Sequence, residues 1–406
     1  VIGMIFLSVL LAIGFVFLAK SCPKCMVWGL IVFSVLLFVA VAAAGFGIGS
    51  YVLGGIFAGV ALIYALILFC CLRGHIDTSI ILVKCTGEFL TAKPQVYLIG
   101  LIVGVITSAF SIYWLFGYLG ILTMSTYAID PFTGNGPVIF QAVFWVLYLF
   151  FTYFFYFVTV FLIGASVAIW YYKVDGVSML GTALKWCVMY HIGSITFGAL
   201  IITIIRVIRT FVSENSSNPC LRLCFCIIMC IFKALEYFLK ILNHYATISM
   251  AFTGQGYISS AKTAGLMIFT NLGLFATVDI ISAFFFYVAV IVCVGIPTAV
   301  SAVLLVFLVP NSAALIIYMV IIVFMFSLLI SMTFITTFTD ALSAVFLFYC
   351  MDKKLAESGI CQTNCPDGIK DLMVQLSNQQ NVVSQNVTSD NLVPGGQTAG
   401  LYQNKV

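Results

Sequence analysis

Residues 138–172 read VIFQAVFWVLYLFFTYFFYFVTVFLIGASVAIWYY. Thirty-five residues pass without an Asp, Glu, Lys or Arg. A bilayer core about 30 Å thick needs roughly 20 such residues in a helix. The stretch is therefore a membrane span. Working outward, the only charge between Lys93 and Lys173 is Asp130. It opens the segment Asp130-Pro131-Phe132-Thr133-Gly134-Asn135-Gly136-Pro137, which is rich in turn formers. A second span, from Pro94 to about Met124, must precede that turn.

The rest of the chain has the same character. Hydrophobic residues make up 63% of its 406 residues and charged residues 7%, against about 25% charged in a soluble domain. That excludes a soluble enzyme, a nucleic-acid-binding protein and a disordered chain. The net charge of +4 is too weak to recruit an acidic macromolecule. Further apolar runs cover 2–19, 26–46, 51–72, 193–212 and 221–242. Two more lie within 263–351, broken at Pro310-Asn311-Ser312. The expected fold is all-α: a polytopic transmembrane bundle of nine spans over residues 1–351. Residues 73–93 mix charges with apolar residues and read as an amphipathic surface segment. Residues 352–406 read as a polar, flexible tail.

Basic residues orient the spans. One set of loops and span ends holds Lys20, Lys24, Arg73, Lys84, Lys93, Lys173, Lys185, Lys240, Lys262, Lys353 and Lys354. The other holds Arg206, Arg209 and Arg222. The first set, with the tail, is expected in the cytoplasm, and residue 1 outside. Nine spans with an external start, and Val at position 1, lead to the expectation that a further span precedes this chain. There is no P-loop, and the His residues at 75, 191 and 244 have no metal-ligand spacing. No catalytic constellation and no cofactor are expected.

The strongest motif lies in 166–209. It runs through Trp170-Tyr171-Tyr172, then Trp186-Cys-Val-Met-Tyr190-His191-Ile-Gly193-Ser194-Ile-Thr-Phe197-Gly198, and ends Ile-Arg206-Val-Ile-Arg209. Leu242-Asn243-His244-Tyr245-Ala246, Ser260-Ala261-Lys262-Thr263-Ala264, and Thr339-Asp340-Ala341 with Phe348-Tyr349-Cys350-Met351-Asp352 follow in order. This pattern resembles the choline transporter-like family, across essentially the whole membrane part. The resemblance implies ten spans, of which this chain would lack the first, and a plasma-membrane location. It also implies transport of choline or a related small amine cation without ATP hydrolysis. The motif residues Tyr190, His191, Gly193, Ser194, Asn243 and Tyr245 would serve gating or structure. Two other classes stay open: an accessory subunit of a membrane complex that no longer transports, and a lipid-handling protein.

A fixed cation such as choline is held by aromatic faces. Trp114 and Tyr118 share a helix face, and Tyr153 and Tyr156 descend on the next span. The expected cage lies between those two spans, with rings packed against lipid as the alternative. Trp170, Tyr171 and Tyr172 read as an interfacial belt. Asp279 and Asp340 sit in apolar runs, where a charge costs at least ~2.5 kcal/mol. Each serves either a cation path or an interhelix bond, and Thr336, Thr337 and Thr339 could share the hydrogen bonds of Asp340. Glu236 reads as an intrahelical ion pair with Lys233 and Lys240. Gly193 and Gly198 are expected to let helices approach closely.

Overall fold

A computed structural model describes residues 2–66, 73–126, 136–174, 176–214, 222–308, 313–357, 365–366 and 368–371. The turn at 131–135, the break at 310–312 and the tail from 372 lie outside the described residues. Within them the secondary structure is helical, without strands. In order the helices are α1 (Ile2–Ser21), α2 (Pro23–Gly47), α3 (Tyr51–Leu66), α4 (Arg73–Ala92), α5 (Tyr97–Thr126), α6 (Gly136–Tyr171) and α7 (Met179–Trp186). Then come α8 (Ile192–Glu214), α9 (Arg222–Thr253), α10 (Tyr257–Thr270), α11 (Leu272–Val290), α12 (Ile296–Leu308) and α13 (Ala313–Glu357). Single π-helical turns at Cys187–His191 and Ile291–Gly295 join α7 to α8 and α11 to α12 into two long rods.

Local chemistry sets the ends. Pro23 starts α2 and Pro94 starts the turn leading into α5, positions where a missing N–H costs nothing. Gly49, at φ +79°, turns the chain between α2 and α3. Seven helical stretches among the described residues are long and apolar enough to cross a membrane. They are α1, α2, α5, α6, the α7–α8 rod, the α11–α12 rod and α13. The other two expected spans differ in kind. The described part of α3 has 16 residues. Helix α9 is long enough at 32 residues, but it carries Lys233, Glu236 and Lys240 in its middle.

Helix α13 organises the bundle, packing on α1, α4, α5, α6, α9, α11 and α12. Its stretch from Phe338 to Asp352 is buried nearly all round, as expected of a central helix. Phe338 stacks on Phe285 of α11 at 3.9 Å between centroids. Helices α6, α8 and α9 form a second group, each packed on the other two, and α6 joins it to α13.

Two readings from sequence need correction. Helix α4 is not a surface segment: ten of its twenty residues are buried, because α1, α11 and α13 close over it. A buried amphipathic helix looks like a surface one when only its polarity is visible. Lys240, in turn, is not at a span end. Helix α9 continues thirteen residues past it to Thr253.

Candidate functional site

Asp340 lies on the buried part of α13 and is 6% exposed. The three neighbouring threonines do not serve it. Thr336 donates to the Met332 carbonyl at 2.6 Å, Thr337 to Thr333 at 2.7 Å and Thr339 to Thr336 at 3.0 Å. A hydroxyl has one proton to give, and each is spent within the helix. No hydrogen bond or ion pair reaches the Asp340 carboxylate among the described residues. It lies within electrostatic range of Tyr156 on α6 and Tyr245 on α9.

These groups lie at one level. Asp340 is twelve residues before Asp352, about 18 Å along the helix. Tyr156 is fifteen residues before Tyr171, about 22 Å. The Tyr156 hydroxyl is 3.0 Å from His244 Nδ1 on α9, and the two rings stack at 6.2 Å and 24°. His244 in turn stands edge-on to Tyr245 at 5.2 Å. Tyr245 is 5% exposed and wedged against Phe275 and Phe346. Tyr156 keeps 43% of its surface open. The result is a buried carboxylate without a hydrogen-bond or ion-pair partner among the described residues, within electrostatic range of tyrosines on two other helices.

The remaining candidate residues fall into different places. Trp114 stacks on Phe144 of α6 at 3.5 Å, and Tyr118 meets Trp145 at 6.3 Å. This is a ring-filled contact between α5 and α6. Along α6 it lies eleven or twelve residues from Tyr156, about 16–18 Å. A cation–π contact reaches about 6 Å, so Trp114 and Tyr118 do not join Tyr156 in one cage. Tyr153 is engaged by the protein's own cations. Arg206 donates to its hydroxyl, and Lys240 lies 5.8 Å over its ring. Asp279 is half-buried and hydrogen-bonded to Tyr237.

The motif residues separate too. Tyr190 is 68% exposed, while His191 is buried under the Phe161 ring at 5.2 Å. Both sit in the π-turn, and Ser194 beyond it is half-buried. Around Gly193 there is open space. Gly198 is the glycine that permits close approach. Asn243 Nδ2 donates to its carbonyl at 2.8 Å, and a Cβ there would meet Asn243 Oδ1 at 2.5 Å. That contact ties α8 to α9 and so places His244 and Tyr245. The sequence singled out Asn243 and Tyr245 for this segment and passed over His244. Its spacing four residues after Lys240 and its place between two motif residues were the available signals.

At the Asp352 end, Tyr171 and Tyr172 are not a lipid belt. Tyr171 is fully buried, and both hydroxyls donate to Asp352, at 2.9 and 3.1 Å. This clamp fixes α6 to α13 below the site. Burial pushes the nearby thiols of Cys85 and Cys365 up, which disfavours their thiolate forms. Past the clamp, Cys365 and Ile369 are buried as well.

The sequence model of the plasma-membrane choline transporter family matches residues 55–354, which include every residue of this site. The chain belongs to that family. Among similar proteins, choline transporter-like protein 2 of Homo sapiens is 34% identical over 127 residues, covering 29% of this chain and 17% of that protein. Choline transporter-like protein 2 of Salmo salar is 32% identical over 125 residues, covering 29% and 17%. Choline transporter-like 1 of Anopheles gambiae is 28% identical over 204 residues, covering 48% and 29%. The matches thus span less than a third of the length of each of these relatives. Membership of a transporter family fits an integral membrane protein of many apolar helices.

Proposed function

We propose that this choline transporter-family chain carries choline or a related small amine cation across a membrane, without ATP hydrolysis. The observation that carries the reading is the buried Asp340 carboxylate, left without a donor among the described residues and within electrostatic range of Tyr156 and Tyr245. A carboxylate so placed costs at least ~2.5 kcal/mol unless something positive or wet compensates it. A small cation would supply that compensation, and the ring faces would add about 0.5–2 kcal/mol per contact. A quaternary ammonium offers no N–H, so a site of charge and rings suits it. In this reading α3 and α9 complete nine spans. The end at Asp352 faces the cytoplasm, and α1 begins outside.

The test is uptake of labelled choline by the purified chain in liposomes, with Asp340→Asn beside it. The amide keeps the shape and removes the charge. Uptake should fall at least tenfold while the protein stays monodisperse. Normal uptake by Asp340→Asn together with a misfolded Asp340→Ala would make the residue structural. No uptake by the unaltered chain would favour an accessory role.

A further inference from the structure

One turn from the Tyr156–His244 pair, away from Asp352, lies a layer of the opposite sign. Tyr153 is three residues from Tyr156 on α6, and Lys240 is four residues from His244 on α9. Both pairs share a helix face and are separated by about 4.5–6 Å of rise. Lys240 Nζ lies over the Tyr153 ring at 5.8 Å, and Arg206 lies over the same ring at 5.9 Å. Glu236 is 4% exposed and takes Arg209 at 2.6 Å and Lys240 at 3.1 Å. Two cations therefore share one carboxylate, and a third, Arg206, stands beside them on the Tyr153 ring. Arg206 has the neutral Tyr153 hydroxyl as its bonded partner, and no acid pairs with it among the described residues.

Such a layer is a poor neighbour for a bare cation, which it repels from one turn away. It suits a cation that carries its own anion. An ammonium and a phosphate joined by a two-carbon bridge are separated by roughly one helical turn, about 5 Å. That is the offset between the Tyr156–His244 pair and the Tyr153–Lys240 pair. Arg and Lys bind phosphate oxygens through charge-assisted hydrogen bonds. We propose that the site is built for a zwitterion of the phosphocholine or phosphoethanolamine class. The ammonium lies between Asp340 and the Tyr156 and Tyr245 rings, and the phosphate on Arg206 and Lys240. This rests on the transport reading above and narrows its substrate. The same chemistry occurs in a soluble phospho-amine and in a phospholipid headgroup.

The test is displacement of labelled choline from the full chain in nanodiscs made of phosphatidylglycerol. Soluble phosphocholine should displace it at about a tenth of the concentration that unlabelled choline needs. Lys240→Gln and Arg206→Gln, made separately, should bring that ratio to about one. Lys240→Gln leaves the Arg209–Glu236 pair in place, so it guards against a folding defect in the other variant. If the headgroup is the ligand, discs containing phosphatidylcholine will instead lower choline binding, and the two variants will restore it. Choline binding that responds to neither soluble phosphocholine nor phosphatidylcholine overturns the zwitterion and leaves the cation reading standing. Absence of choline and phosphocholine binding alike overturns both.

Discussion

At the scale of single residues, Asp340 and Tyr156 would divide the work of the proposed cation site. The carboxylate supplies charge, and the ring supplies a polarisable face. Tyr156 also spends its hydroxyl on His244. Tyr156→Phe keeps the face and loses that bond, so choline affinity should change less than threefold. Tyr156→Ala loses the face. At about 0.5–2 kcal/mol per ring contact, that is roughly a two- to thirty-fold loss of affinity, read from concentration-dependent uptake. Equal losses in the two variants would show that the hydroxyl, not the ring, matters. Trp114 should behave otherwise. Its ring is stacked on Phe144 far along the helix, so Trp114→Phe should leave choline affinity within about twofold.

At the scale of elements, two contacts hold the site in register. The first is the α8–α9 contact at Gly198 and Asn243. A Cβ at Gly198 would meet Asn243 Oδ1 at 2.5 Å, whereas one at Gly193 would meet open space. Overpacking costs about 1–3 kcal/mol. Gly198→Ala should therefore lower the melting temperature in detergent, and Gly193→Ala should leave it unchanged or raise it. The second contact is the Tyr171–Tyr172 clamp on Asp352. Asp352→Ala strands the buried Tyr171 hydroxyl, at about 1–3 kcal/mol, and the half-buried Tyr172 hydroxyl at less. Asp352→Asn can still accept from both and should be milder. Thermal melts of the two variants should rank in that order.

At the scale of the whole molecule, orientation follows from where basic residues lie. Lys240 belongs inside α9, level with Arg206, rather than in a loop. Removing it from the loop count leaves the expected bias unchanged in sign, since the other Lys and Arg of the first set still outnumber Arg206, Arg209 and Arg222. A tag after Val406 should then be reached by antibody only after permeabilisation. A tag inserted within 131–136 should be reached on intact cells. The opposite pattern would turn the bundle over and place the Arg206–Lys240 layer on the cytoplasmic side of Asp340.

The sequence by itself determined the class of the molecule. Runs such as 138–172 have no stable arrangement except as helices in lipid, and a lone Asp340 in such a run had to face inward. These conclusions need only local composition. Other features were settled by contacts between distant segments. Tyr156 and His244 are 88 residues apart, and Tyr171 and Asp352 are 181 apart. Whether a ring on α6 meets α5, α9 or lipid depends on the rotation and register of each helix. Those are fixed by contacts such as Gly198 against Asn243, and in an aromatic-rich span every face looks alike. The expected cage of Trp114, Tyr118, Tyr153 and Tyr156 followed spacing along two helices. The tertiary structure distributed those rings among a packed α5–α6 seam, a cationic layer and the surroundings of Asp340. The burial of α4 was hidden for the same reason, because a polar face that packs on neighbours and one that meets water have the same composition.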